Sequence, residues 1–337
     1  MNANKNNRVT LVLCFDDGMA RHAAATLSSS ARNLRPGWMI DAYVITFGLT
    51  DEHYQRLQNV VSRYDNLELT LMSPITQGYE QLPHAAWVSS SANLRVEIPY
   101  HFADYERVLY LDADTLVCAD LVELWEKSME SAAVMACQDT AVSRAERNIS
   151  MLTFLKFGMN KKTPCFNSGV LLIQPQAWLE KDIAQRYHDL LQDYGDAFVC
   201  CDQDALNILL FDSVGFLDPA WNMDTFRFYL KEMYPDMEER TTKIVHFVSS
   251  PKPDHPGCVH PCYRWFVDEL DKSGWFSPEE FHRFHEELER QRNTKEFRRL
   301  RKQTINEEIM GVLGNTKSKA SSYHNTTRRK KVSCRFK

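Results

Sequence analysis

The segment Arg107-Val108-Leu109-Tyr110-Leu111-Asp112-Ala113-Asp114 runs from apolar residues into two carboxylates spaced i, i+2. On an extended backbone that spacing turns both side chains to one face. The carboxyl end of a buried strand is also where open α/β sheets bind ligands. Two adjacent anions repel and desolvate poorly unless a cation joins them, and a hard divalent ion is the common partner. The same residues also suit a strand end followed by a turn, since Asp favours turns and helix caps. Taken alone, the pair leaves both readings open.

Other segments carry side chains that would complete such a site. Ile244-Val245-His246 closes an apolar run with an imidazole, and Pro251-Lys252-Pro253 follows it. Two carboxylates and an imidazole suit Mn²⁺, or Mg²⁺, with positions left open for phosphate oxygens, and Lys252 would meet those phosphates as a point charge. Singly, these residues read equally as a buried structural His and a solvated Lys. Asn167-Ser168-Gly169 opens another apolar run, and Asn167 offers donors and acceptors to a hydroxyl-rich ligand. Asp202-Gln203-Asp204 stands at a helix start, where carboxylates either complement the dipole or join a sugar site. Asp16-Asp17 is a turn, or a base- and ribose-reading site at the first strand's end.

The elements that must hold these residues follow from periodicity. Val9–Phe15, Asp41–Phe47 and Leu67–Leu71 read as strands, with helices over Met19–Asn33 and Thr50–Tyr64 between them. That βαβαβ order predicts a parallel, doubly wound sheet. A helix around Ser91–Pro99 leads into the strand Val108–Leu111, and Asp120 with Glu123 forms a capping-box pattern opening a helix over Leu121–Lys127. Ala132–Cys137, Val170–Ile173 and Ile244–Val248 are further strands, Asp202–Phe211 is a helix, and Pro278–Thr304 reads as one long charged helix. The usual phosphate loops G-x-G-x-x-G and G-x-x-x-x-G-K-[ST] are missing, and the chain has only 12 glycines. A nucleotide bound here would need its phosphates neutralised by a cation on Asp112 and Asp114.

Composition sets the bounds. The chain has 337 residues, 44% hydrophobic and 25% charged, enough for a sizeable core in an ordinary globular protein. Met1–Arg8 is polar, so no secretory signal is read there. The nine cysteines are odd in number and sit largely in apolar runs, which fits a reducing, cytoplasmic setting and leaves Asn148-Ile149-Ser150 and Asn325-Thr326-Thr327 idle as glycosylation sites. Cys258 and Cys262 near His255 and His260 lack the spacing of a zinc module. The net charge of −5 hides an asymmetry, because residues 290–337 hold 15 Lys and Arg against 3 Glu.

Together, five ordered motifs resemble glycosyltransferase family 8. They are Phe15-Asp16-Asp17, the segment Leu109–Asp114, Asn167-Ser168-Gly169-Val170, Asp202-Gln203-Asp204 with Asn207, and His246 with Lys252-Pro253. The resemblance spans roughly Val9 to Leu270. It implies a GT-A fold: a Rossmann-like, mostly parallel central sheet flanked by helices, with the D-x-D at a strand end. It further implies a UDP-sugar donor, Mn²⁺ and retention of anomeric configuration. By the same resemblance, Asp112, Asp114 and His246 are metal ligands and Asp16 and Asp17 lie at the uridine. Asn167, Ser168, Asp202 and Gln203 surround the transferred sugar, Lys252 contacts the diphosphate, and Asp139 is a sugar- or acceptor-side carboxylate. Asp202 is the one matching carboxylate that could act as a nucleophile, and Gln203 is a hydrogen-bonding neighbour of the cationic sugar. Two departures stand near the diphosphate. Asn93 takes the place of an arginine in the segment Ser91–Arg95, with Arg95 two residues on, and Asp254 follows Lys252-Pro253 where relatives often carry Trp.

The expected activity is hexosyl transfer, glucose or galactose, from UDP-sugar to a hydroxyl of a glycan or lipid-linked saccharide in lipopolysaccharide-type biosynthesis. A catalytically idle nucleotide-sugar-binding module and a GT-A-like nucleotidyltransferase are the alternatives; the second usually carries a Gly-rich N-terminal loop. The expected organisation is a catalytic domain over 1–277, a basic amphipathic helical extension over 278–310 and a basic, disordered tail over 311–337. A basic stretch on an acidic body favours peripheral docking of 290–337 on an anionic membrane face. No base-stacking module supports a nucleic-acid partner.

Overall fold

A computed structural model describes residues 7–76, 78–82, 90–139, 154–160, 162–198, 200–233, 242–248 and 250–306. The glycosylation motifs at 148–150 and 325–327 and the basic tail 311–337 lie outside these residues. The strands are β1 (Arg8–Cys14), β2 (Met39–Ile45), β3 (Leu67–Met72), β4 (Val108–Leu111), β5 (Thr115–Val117), β6 (Val134–Gln138), β7 (Phe166–Ile173), β8 (Val214–Phe216), β9 (Met223–Asp224) and β10 (Ile244–His246). Seven of them form one sheet in the order β3-β2-β1-β4-β7-β6-β8, and β5-β10-β9 form a second. β3, β2, β1 and β4 run parallel, whereas β7 runs antiparallel to both β4 and β6. The winding reverses between β1 and β4, so Asp16 and Asp112, just beyond these strands, flank the crevice where α/β sheets bind ligands.

Continuous apolar runs were the signal for these central strands, and the packing shows why. Leu11, Leu13, Leu109 and Leu111 face one core layer, with the helices Ala20–Asn33 and Tyr263–Ser273. Val12, Cys14, Val108 and Tyr110 face the other, with Ile183–Tyr194 and Cys201–Leu210. A strand covered on both faces has no polar side to alternate.

The helix Ala20–Asn33 carries a buried polar stripe that serves the site. Thr26 donates from Oγ1 toward the carbonyls of Ala113 (2.7 Å) and Thr115 (2.8 Å), Ser29 Oγ accepts the Val117 N–H (3.0 Å), and Asn33 Nδ2 donates to the Val117 carbonyl (2.9 Å). The spacing i, i+3, i+7 puts all three on one helix face. They satisfy the edge of β5 that β10 does not pair, and so pin the turn containing Asp112 and Asp114.

Three local expectations are corrected. Asp120 and Glu123 make no reciprocal capping box. Asp120 accepts the Val122 N–H at 3.1 Å and pairs with Arg35, while Glu123 pairs with Lys243, and the helix is only Val122–Trp125. A complete capping box stands instead at Ser277 and Glu280. The long helix is two, Pro278–Arg292 and Lys295–Thr304, because the Thr294 side chain accepts the Phe297 N–H and starts a new helix. The helix expected around Ser91–Pro99 is a 3-10 segment, Ser90–Glu97, followed by one α-turn, Ile98–His101. Packing continues across residue 277: Leu288 is buried in the main core, with Phe281 and Phe284 against it.

Candidate active site

Asp112 continues the sheet for one bond beyond β4, its N–H meeting the Gly169 carbonyl at 2.8 Å, and Thr115 then turns back on the Asp112 carbonyl. The turn reading and the cluster reading therefore coexist. β5 pairs antiparallel with β10 so that His246 lies opposite Thr115, and the Phe247 N–H meets the Asp114 carbonyl at 3.0 Å. His246 Nε2 thereby stands 3.4 Å from Asp112 Oδ2 and 3.4 Å from Asp114 Oδ1. One ligand atom from each of the three residues lies within 4.8 Å of the others. The remaining carboxylate oxygens are held from outside. Asp112 Oδ1 accepts the Tyr110 hydroxyl at 2.5 Å and faces Arg95 at 3.2 Å, and Asp114 Oδ2 meets Lys252 Nζ at 2.5 Å.

The residues fit a hard divalent cation. His246 Nδ1 is 2.9 Å from Asn222 Oδ1, an acceptor, so the ring keeps a proton there and would turn an Nε2 lone pair toward the carboxylates once a cation displaces the Nε2 proton. Opposite, Gly169 keeps the space clear: a Cβ there would sit 2.1 Å from His246 Cε1 and 2.6 Å from Asp112 Oδ2. Electrostatics agree. Burial works against ionisation of Asp114, but Lys252 and His246 hold its carboxyl well below the usual range. Asp112 is likewise lowered against its burial, by Arg95 and His246. Burial disfavours the His246 imidazolium, yet Asp114 and Asp112 raise its pKa to about 9.

The sugar-side expectations converge on the same crevice. Arg95, 2% exposed, places Nη2 3.2 Å from both Asp112 and Asp202 and donates from Nη1 to the Ser168 carbonyl at 2.7 Å. Its guanidinium lies over the Tyr110 ring, 4.8 Å from the centroid. Burial raises the Asp202 carboxyl despite Arg95. Gln203 is fixed at both ends, Oε1 accepting the Ser168 N–H (3.1 Å) and Nε2 donating to Asp139 (2.6 Å). Asn167 Oδ1 accepts from Gly169 N and from Asn222 Nδ2. One bonded network thus links Lys252, Asp114, His246, Asn222 and Asn167, and another joins Asp112, Arg95, Asp202 and Ser168.

Two residues are placed otherwise. Asp17 accepts from the Thr50 N–H at 2.7 Å and the Thr50 hydroxyl at 3.0 Å, so it holds the residue that caps the helix Asp51–Val61, and it lies 2.9 Å from His53 Nδ1. Asn93 accepts the Tyr187 hydroxyl at 2.6 Å and donates toward the Tyr79 carbonyl, so its amide serves the core. Arg95, two residues on, is the arginine of this segment that reaches the D-x-D turn. Asp254, the other departure, ties its loop to helix Ala20–Asn33 through His22 (3.0 Å) and Arg21 (2.9 Å). Asp16 lies at the end of β1, its carbonyl accepting the Met19 N–H. Asn222 was not singled out from the sequence, since it reaches His246 only through the parallel pairing of β9 with β10. Tyr110 was not singled out either, although its i, i+2 spacing from Asp112 was the signal that could have found it.

The model of the family described as Glycosyl transferase family 8 matches residues 10–255. The chain belongs to glycosyl transferase family 8. General stress protein A of Bacillus subtilis (strain 168) is 26% identical over 284 residues, 80% of this chain and 96% of the relative. The lipopolysaccharide 1,3-galactosyltransferase of Salmonella typhimurium is 26% identical over 241 residues, 69% of each chain. Among solved structures, the galactosyltransferase LgtC, crystallised with donor and acceptor sugar analogs, superposes with a TM-score of 0.70 at 23% identity, covering 82% of this chain and all of that one. The family 8 glycosyltransferase described here therefore has the GT-A architecture, and the D-x-D crevice lies at its switch point.

Proposed function

We propose that this glycosyltransferase moves a hexose from a UDP-sugar to a hydroxyl of a glycan or lipid-linked saccharide, with retention at C1 and a divalent cation, Mn²⁺ or Mg²⁺, held by Asp112, Asp114 and His246. The observation that carries the reading is the convergence of these three side chains around the space that Gly169 leaves open. Lipopolysaccharide glucosyl- and galactosyltransferases among the relatives support a hexose as the transferred group. A cation bound at these residues supplies Lewis acidity to the diphosphate leaving group.

The chain's own residues do the remainder. Lys252 adds a point charge at the departing phosphate, a stabilisation that grows as charge builds there. Arg95 bridges Asp112 and Asp202 and holds both in place. The Asp202 carboxylate, paired with that arginine, is tempered as a nucleophile, which supports attack by the acceptor on the face from which UDP departs. In that step the bond from acceptor oxygen to C1 forms, the C1–O bond to the β-phosphate breaks, and the acceptor proton passes to the departing phosphate oxygen. Gln203, locked by Ser168 and Asp139, presents a fixed neutral dipole beside the cationic sugar. A panel of UDP-sugars assayed for metal-dependent UDP release tests the donor. Release from UDP-glucose or UDP-galactose is expected, and none from any UDP-sugar contradicts the reading.

For the basic extension we propose docking on an anionic membrane at the cytoplasmic face. Lys295, Arg298 and Arg299 are exposed on the helix Lys295–Thr304, and no helix among the described residues is long and apolar enough to cross a membrane. Salt-sensitive pelleting with vesicles containing phosphatidylglycerol is expected; pelleting unchanged by charge reversal at these three residues contradicts it.

A further inference from the structure

The loop of residues 250–262 presents Lys252 to the D-x-D turn, and its outer side is gripped by the two C-terminal helices. Lys252 Nζ reaches Asp114 and the Phe247 carbonyl (3.0 Å), and the His255 N–H turns back on the Lys252 carbonyl at 3.0 Å. From His255 the bonding continues outward: its ring Nδ1 accepts the Gly257 N–H and its carbonyl accepts the Cys258 N–H, each at 3.0 Å. Arg292, 8% exposed, donates from Nη1 toward the carbonyls of Pro256 (3.2 Å) and Cys258 (3.1 Å), and its guanidinium carbon lies over the Tyr263 ring, 3.5 Å from the centroid. Arg301 donates to the Pro256 carbonyl at 2.7 Å and to the Arg292 carbonyl at 2.8 Å. Gly257 fits closely between them, since a Cβ there would meet Pro251 at 2.9 Å and Leu300 at 3.2 Å. The His255 and Phe297 rings stand edge to face at 5.6 Å.

A buried guanidinium aimed at two loop carbonyls holds backbone, and a network continuous with Lys252 transmits that hold. We propose that Arg292 and Arg301 are positioning residues of the diphosphate half-site. They fix the loop that carries Lys252, so the C-terminal helices are part of the donor-binding machinery and not a separable appendage. The inference rests on Lys252 contacting the diphosphate, as in the proposed function. It also divides the basic residues of the extension: Arg292 and Arg301 face the body, whereas Lys295, Arg298 and Arg299 face outward.

The test is a double-mutant cycle on the full chain, reading UDP affinity by calorimetry at saturating Mn²⁺, with thermal midpoints alongside. Lys252→Met should weaken UDP by about tenfold or more, and Arg301→Met by severalfold to about tenfold, the usual loss when an outer support of a site is removed. In the Lys252→Met background, Arg301→Met should change UDP affinity by less than about twofold, because it acts only through that lysine. Arg299→Ala, exposed on the same helix, should leave affinity unchanged. Equal losses in both backgrounds, or no loss from Arg301→Met, overturn the positioning role. No loss from Lys252→Met overturns the diphosphate reading itself and the inference with it. If Arg292→Met fails to fold, the half-exposed Arg301 carries the test.

Discussion

Replacing Gly169 by alanine adds one methyl group and should disrupt the proposed cation site. Gly169 does not occupy the left-handed region, so alanine meets no backbone penalty and the effect is steric. The new Cβ would lie 2.1 Å from His246 Cε1, 2.8 Å from His246 Nδ1 and 2.6 Å from Asp112 Oδ2. Restoring ordinary contact of about 3.5 Å requires the imidazole to retreat by roughly 1.4 Å. The ring cannot do so while keeping Nδ1 on Asn222 at 2.9 Å, and His246 is 3% exposed, so neighbours must shift as well. Overpacking of this kind costs about 1–3 kcal/mol of stability. Misplacing one of three ligands should weaken the cation by about 100-fold, at the upper end of the loss on removing a ligand's support. Calorimetric titration of Mn²⁺ into Gly169→Ala, with a melting curve beside it, reads both. A folded variant that binds Mn²⁺ with wild-type affinity would refute the placement of the ion against His246 and Asp112.

Two further outcomes follow from the same geometry. Asn222→Ala frees His246 Nδ1 and should weaken Mn²⁺ by about tenfold or more while leaving the melting temperature within a few degrees; unchanged affinity would remove Asn222 from the site. The His246 pKa, raised to about 9, means that a cation must displace a proton at neutral pH. Protonation of free His246 opposes binding below that pKa, so apparent Mg²⁺ affinity should rise about tenfold per pH unit from pH 6 to 8 and level off near 9. A flat profile over that range contradicts the charge state assigned to the metal-free site.

The central sheet was legible because long apolar runs report burial on both faces, and the D-x-D pair because it ends such a run; the two carboxylates converge through the turn Asp112–Thr115, not through the i, i+2 spacing of an extended strand. β5 and β9 were not, being three and two residues long with no period to read. Their pairing with β10 is what delivers His246 and Asn222, and no local signal encodes it. The Asn93 expectation shows a finer limit. In a 3-10 segment, residues two apart point in different directions, so Arg95 turns to Asp112 while Asn93 turns to Tyr187. The expected capping box is lost because Asp120 and Glu123 pair with Arg35 and Lys243 instead of closing on each other's backbone, whereas Ser277 and Glu280 complete the box even though Glu280 also pairs with Arg56. The small polar residues of helix Ala20–Asn33 read as helix from their spacing, but their service to β5 required the tertiary fold.

The measurement that bears most directly on the account is UDP release from UDP-glucose and UDP-galactose by the wild-type chain and by Asp114→Ala, with and without Mn²⁺. Metal-dependent release by the wild type, and its loss in a variant whose circular dichroism is unchanged, is the expected result. Release by Asp114→Ala at the wild-type rate, or release indifferent to chelation of the metal, would contradict it.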